Sequence, residues 1–288
     1  MNDDILQAIR LAAAKAKGKK KKIKTQDGED ATIYVYTERQ IAQRQKEKAE
    51  RLDKLRGKID GLRSQVKKDL GSKDSKTRIT ALAVALIDET FERVGNDGSA
   101  DEGHYGVTGW LMDHMTLGKD KAVFKYVGKS GVDHEKVVKD PKALSVLRDI
   151  CKGKKKNDPV LSDSEGEGKV SAEDVNAYLK PFEVTAKDLR GFHANREMSE
   201  QLTKVRAKGG KLPSEEKDRT KQLKEEFKTA LEAVAEAVGH EPATLRSQYL
   251  VPGMESSFLQ DGTVSKTFVK RKASASRIAR WCFRGSQW

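Results

Sequence analysis

Apolar residues recur at helical spacing in three long stretches of this chain. Between about Thr37 and Leu70, the residues Leu52, Leu55, Ile59, Leu62 and Val66 alternate steps of three and four, one narrow stripe on an otherwise charged helix. Gly57 and Gly61 weaken that helix. Its run of clean heptads is too short for a dimeric coiled coil, so the stripe is expected to pack on the chain's own domain. From Ser75 onward, Ile79, Leu82, Ala83, Leu86, Ile87, Phe91 and Val94 follow the same template, with Gly95-Asn96 as the expected stop. This is the main core helix. Leu223, Phe227, Ala230, Leu231, Val234 and Val238 make the third stripe.

Elsewhere the period changes. The run Ala122-Val123-Phe124-Lys125-Tyr126-Val127, the turn Gly128-Lys129-Ser130-Gly131 and a second run reaching Val138 predict a β-hairpin. Residues 152–169, rich in Lys, Gly, Ser and acid, read as an exposed loop. Ser171 with Asp174 predicts a helix start ahead of Val175 and Leu179. A loop from Lys208 to Pro213 separates two helices, and Pro242 opens a short one holding Tyr249. The fold class that follows is mainly α (α+β), helical with a small β-hairpin or three-stranded sheet. Residues 1–24 read as a disordered or helical basic tail and 25–74 as a charged helical N-terminal segment. Residues 75–252 form the principal domain. A second basic tail, 253–288, carries Lys270, Arg271, Lys272, Arg277, Arg280 and Arg284.

Composition narrows the partners. The chain is 36% hydrophobic and 35% charged, against roughly 45–50% and about 25% in ordinary globular domains, so the core is modest and much helix is solvated. Lys and Arg number 57 against 44 Asp and Glu, a net charge of +13 that suits a polyanion, nucleic acid ahead of an anionic membrane surface. Apart from Trp281 and Phe283, the basic ends lack the apolar residues a membrane-binding face needs. No apolar run approaches the roughly 18 residues of a membrane span. The N-terminus opens with Asp3 and Asp4 and lacks a secretory apolar core, so an intracellular protein is expected. Cys151 and Cys282 lie far apart without CxxC spacing, which excludes a zinc site or disulfide framework as the organising feature.

Three motif-like signals fail. Gly128-Lys129-Ser130 looks like a phosphate-binding loop, but the glycine needed five residues earlier is Val123. Asp163, Glu165, Glu167, Gly168 and Val170 approximate a calcium loop, yet its last ligand, a bidentate Glu, is replaced by Asp174. His104, His114 and His134 lack metal-site spacing and read as structural or DNA-facing. Neither metal nor cofactor is expected.

Breaking a phosphodiester without a metal requires arginines against the charged transition state, a general acid for the leaving alkoxide and, on a covalent route, a nucleophile such as a tyrosine. The chain offers these in order. Arg93 is expected in the last turn of the core helix, at the border of its apolar stripe. Lys129 follows at a glycine-flanked hairpin tip, suited to a general acid. Next come Lys187-Asp188-Leu189-Arg190, then His240 nine residues before Tyr249, with Pro242 and Arg246 between.

That order, with Arg93-Val94-Gly95-Asn96, Tyr105-Gly106-Val107-Thr108 leading to His114, Tyr126-Val127-Gly128-Lys129-Ser130-Gly131, Asp174-Val175-Asn176-x-Tyr178-Leu179, Thr185-Ala186-Lys187-Asp188-Leu189-Arg190 and Val238-Gly239-His240-x-Pro242 through Tyr249, resembles the type IB DNA topoisomerases, particularly the compact poxvirus and bacterial branch. The resemblance runs from about Tyr36 to Pro252 and makes 75–252 the catalytic domain. It implies that Tyr249 attacks the scissile phosphate to form a 3′-phosphotyrosyl link. Arg93, Arg190 and His240 would stabilise the transition state, and Lys129 would protonate the 5′-oxygen. It also implies DNA contacts from Lys187, Thr108, His114, Tyr105 and Arg246, no ATP or metal, and a monomer on double-stranded DNA. Two departures stand out. Gly109, Trp110 and Leu111 replace the family's Thr-Leu-Arg, so a DNA-contacting arginine is expected to be missing, and the N-terminal clamp domain is expected to be absent or reduced. A tyrosine recombinase would share fold and chemistry but usually carries histidine where Lys187 stands. A catalytically inactive DNA-binding relative is the other alternative.

Overall fold

Thr37 starts the longest helix. Its hydroxyl accepts the Gln40 N–H (3.2 Å) and the Gln40 side chain accepts the Thr37 N–H (3.0 Å), a reciprocal cap for α1, Glu38–Asp69. All five stripe residues of α1, Leu52, Leu55, Ile59, Leu62 and Val66, are buried, and its glycines face open space. Helix α2, Ser75–Thr90, is capped by Asp74 and buries Ile79, Leu82, Leu86 and Ile87. It ends earlier than the periodicity predicts. Phe91 leaves it in the left-handed region (φ 60°), so Arg93 lies beyond the helix and not in its last turn. A non-glycine residue there costs about 1–2 kcal/mol, which surrounding contacts must offset.

The computed structural model describes residues 20–24, 30–34, 36–128, 131–163 and 168–264. Lys129, the glutamates of the calcium-like stretch and the basic C-terminal residues, including Trp281, Cys282 and Phe283, lie outside these. Near the N-terminus the expected helix or tail is corrected: β1, Lys20–Lys24, pairs antiparallel with β2, Asp30–Tyr34. After the short helix α3, Asp97–Asp101, a three-stranded antiparallel sheet follows in the order β3, Met115–Leu117, β4, Ala122–Val127, and β5, Asp133–Val138. The hairpin of β4 and β5 matches its sequence pattern, with Val123 opposite Val137 and Tyr126 opposite His134.

Helix α4, Pro141–Ile150, α1, β5 and α5, Ala172–Leu179, all pack on α2. The stretch 152–169 is not a plain exposed loop. Val160, Leu161 and Ser162 are buried, and the Lys154 ammonium donates to the carbonyls of Pro159, Val160 and Ser162 at 2.9–3.0 Å. An ammonium gathers those carbonyls because buried acceptors otherwise go unsatisfied.

Helix α6, Ala186–Lys208, begins as expected near Lys187. By its contacts the chain divides into two compact units, one running through Gly191 and taking in Val251–Gly253, the other comprising Phe192–Leu250 and the residues from Met254. In the second unit, α7, Glu216–Val238, buries its whole predicted stripe and ends at Gly239, left-handed at φ 66°. Pro242 opens α8, Pro242–Thr244, which runs into a π-helical turn, Leu245–Tyr249. The chain beyond Pro252 is not simply a tail: α9, Met254–Asp261, packs on α7 through Phe258 and Phe227.

Candidate active site

In the first unit, two of the sequence blocks close on one another. The Val107 N–H donates to the Arg93 carbonyl (2.9 Å), and the Thr108 N–H and hydroxyl both donate to the Val94 carbonyl (2.8 Å each). A side chain at Gly106 would come within 2.6 Å of Gly95, so this bracket requires glycine. Thr108 is therefore buried and spends its hydroxyl on Val94 instead of offering it to DNA. Tyr105 and His114, both half-buried, meet edge to face at 4.3 Å, and the Leu111 N–H donates to His114 Nδ1. Burial holds the His114 imidazole below its ordinary pKa.

Arg190 is positioned by a chain of local caps. Thr185 and Asp188 bond reciprocally at the start of α6, with the Thr185 hydroxyl donating to the Asp188 carboxylate at 2.8 Å. Asn176 accepts the Ala186 N–H (3.0 Å), and Arg51 Nε donates to Asp188 (3.0 Å). The family blocks around Asn176 and Thr185 thus orient the helix that carries Arg190 and the exposed Lys187. Lys187 and Arg51 adjoin Lys48, whose pKa is lowered to about 8 by burial first, then by these two cations.

The spacing missed Glu92. It is 2% exposed, and its Oε1 accepts the Arg93 N–H (2.7 Å) and lies 3.9 Å from Arg190 Nη2. Its Oε2 lies 3.7 Å from His134 Nδ1 and 3.8 Å from Lys136 Nζ. Nothing in the periodicity marks a carboxylate after a helix as internal; only the left-handed turn at Phe91 brings it in. The tip of the hairpin is equally constrained, since any side chain at Gly128 would collide with the His134 ring.

In the second unit, His240 and Tyr249 come together, their rings 4.5 Å apart at 41°. The left-handed Gly239 and the bond from the His240 N–H to the Ala235 carbonyl (2.8 Å) turn the histidine back, and the π-helical turn brings the phenol to it. Asn195, wholly buried, donates to the Tyr249 carbonyl (2.9 Å). A polar residue among buried Ala194, Met198 and Leu202 was its only sequence signal. Arg246 is exposed and bound in a two-pronged pair to Glu255, at 2.6 and 2.5 Å. Among the described residues there is no group of three or more His, Cys, Asp or Glu arranged to hold a metal.

The departure at Gly109-Trp110-Leu111 has a structural reason. Trp110 is wholly buried, stacked on Phe124 at 4.1 Å and tilted against Tyr126 at 5.4 Å, so this block builds core.

Comparison with known proteins gives the family. DNA topoisomerase 1 of Daucus carota is 29% identical over 163 residues, 54% of this chain and 20% of that protein. The Schizosaccharomyces pombe enzyme of the same name is 29% identical over 163 residues, 55% of this chain and 19% of its own length. Arabidopsis thaliana DNA topoisomerase 1 alpha is 28% identical over 163 residues. The chain spans about a fifth of the length of these relatives. The eukaryotic DNA topoisomerase I catalytic core matches residues 36–258, which supports the type IB assignment without supporting the finer one to the poxvirus and bacterial branch. Since that match extends from the residue before the Thr37 cap into α9, and so takes in both arginines and the His240–Tyr249 pair, the chain belongs to the eukaryotic DNA topoisomerase I catalytic-core family.

Proposed function

We propose that this chain relaxes supercoiled duplex DNA by breaking and rejoining one strand through a phosphotyrosyl bond at Tyr249. The observation that carries the reading is the seating of the Tyr249 phenol against the His240 imidazole at 4.5 Å. The short helix and π-helical turn between the two residues bring their rings together. In the forward step the phenol oxygen bonds to phosphorus as its proton passes to solvent, and the bond to the 5′-oxygen breaks. Lys129 supplies the proton that the leaving 5′-oxygen takes up. Arg93, Arg190 and His240 spread the negative charge that builds on the non-bridging oxygens. The phosphotyrosine conserves the bond energy, so rejoining is the reverse step and requires no ATP. The chain acts as a monomer, inside the cell, on genomic DNA.

Relaxation of a supercoiled plasmid in chelator, with the covalent adduct trapped by detergent and a 3′-phosphate link identified on labelled DNA, tests the proposal. Relaxation with such an adduct is expected. DNA binding with neither would leave a binding protein.

The cluster of Lys48, Arg51 and Lys187 gives a pH signature. A phosphate brought beside it raises the depressed Lys48 pKa, so the bound form holds a proton that the free form loses above about pH 8. Affinity is therefore full below that value and falls as pH rises through it. Lys48→Met is expected to flatten this dependence between pH 7 and pH 9 in binding titrations; an unchanged slope would remove Lys48 from the interface.

A further inference from the structure

One carboxylate reaches both arginines of the first unit to which catalysis has been assigned. Glu92 Oε1 holds the Arg93 backbone at 2.7 Å and faces the Arg190 guanidinium at 3.9 Å, while Oε2 faces His134 and Lys136 on β5, the strand that leaves the Lys129 hairpin. From these contacts we infer that Glu92 is a positioning residue, setting Arg93 and Arg190 at the separation needed to grip one phosphate. The inference rests on the phosphoryl-transfer reading above and adds a residue to it.

Two features separate this role from simple charge neutralisation. The first is location. A carboxylate that only balanced charge needs to reach the cations, whereas the shortest Glu92 contact is to the Arg93 N–H, the backbone that aims a second arginine. The second is the local charge. Arg190 and Lys136 are buried with Glu92, and both Arg93 and Arg190 act on His134 from nearby. Burial, and then Arg190 as a neighbour, hold Lys136 below its ordinary pKa even against Glu92. Buried cations gathered in this way favour a neighbouring anion, and a scissile phosphodiester is one. Glu92 thus keeps the arginines ordered before DNA arrives and remains their anchor when the phosphate binds.

The experiment is single-turnover formation of the covalent adduct on a labelled duplex, with DNA affinity and thermal melting measured on the same preparations. Glu92→Gln keeps an acceptor for the Arg93 N–H and loses the charge facing Arg190. Its adduct is expected to form about 10- to 100-fold more slowly, as for a misplaced catalytic group, with affinity changed less than about threefold. Because that substitution removes a negative charge from among buried cations, a second variant, Glu92→Gln with Lys136→Met, removes a positive charge as well. It is expected to recover melting temperature without recovering rate. Wild-type rate in Glu92→Gln, or a rate that returns together with stability in the double variant, overturns the inference. A wild type that forms no adduct overturns the function itself, a result visible before any Glu92 variant is compared.

Discussion

Tyr249→Phe is expected to lose adduct formation and plasmid relaxation by at least about ten-thousandfold, as when a nucleophile is removed from a catalytic group that acts as a unit. The substitution deletes one oxygen and keeps the ring. The contact with His240 and the bond from Asn195 to the Tyr249 carbonyl do not need that oxygen, so fold and DNA affinity should persist. Two of the other described tyrosines are poorly suited to substitute. Tyr126 is buried beside Glu92, and both burial and that carboxylate disfavour its phenolate. Tyr178 donates its hydroxyl to Asp69 at 2.8 Å, and burial together with that bond pushes its pKa up. A Phe variant that still relaxed DNA would move the nucleophile elsewhere. Wild type and variant that bind DNA equally and leave it supercoiled would make the chain an inactive relative. Holliday-junction resolution by the wild type would favour a recombinase.

Trp110→Ala should cost about 3–5 kcal/mol of stability, the range for deleting a large buried aromatic side chain. The indole is wholly enclosed, stacked on Phe124 and tilted against Tyr126. Its backbone also accepts the Val160 N–H at 2.9 Å, so a collapse here reaches the stretch around Lys154. Trp110→Phe retains a stacked ring and should lose less. Urea unfolding of the three proteins measures the difference. A loss below about 1 kcal/mol would put Trp110 outside the core, since surface substitutions stay near that range. The block Gly109-Trp110-Leu111 would then need another explanation, such as an altered DNA contact.

The elements legible in the sequence are those governed by local rules. The stripes of α1 and α7 are buried in full, and that of α2 from Ile79 to Ile87, because a helix's apolar face follows from its own spacing. Caps at Thr37 and Ser171, the hairpin of β4 and β5 and the short helix opened by Pro242 likewise depend on residues only a few positions apart. The His240–Tyr249 pair was legible for the same reason, being joined by one short turn.

Long-range contacts decided the rest. Sequence placed the stop of α2 at Gly95, but the chain turns at Phe91, against local preference, and the Arg93–Val107 and Val94–Thr108 bonds hold it there. Residues 160–162 are polar-flanked and loop-like by composition, yet they are buried, with Lys154 meeting their carbonyls. Strand β3 is too short to carry a period of its own and exists through its pairing with β4. Thr108 matches a DNA-contact motif, but Val94 takes its hydroxyl. Glu92 is the plainest case. Its partners Arg190, His134 and Lys136 lie far along the chain, and no spacing rule links them. Helical period and end-caps are set by neighbours and can be read from them. The burial of a charge depends on which distant groups arrive to compensate it, and only the folded chain determines that.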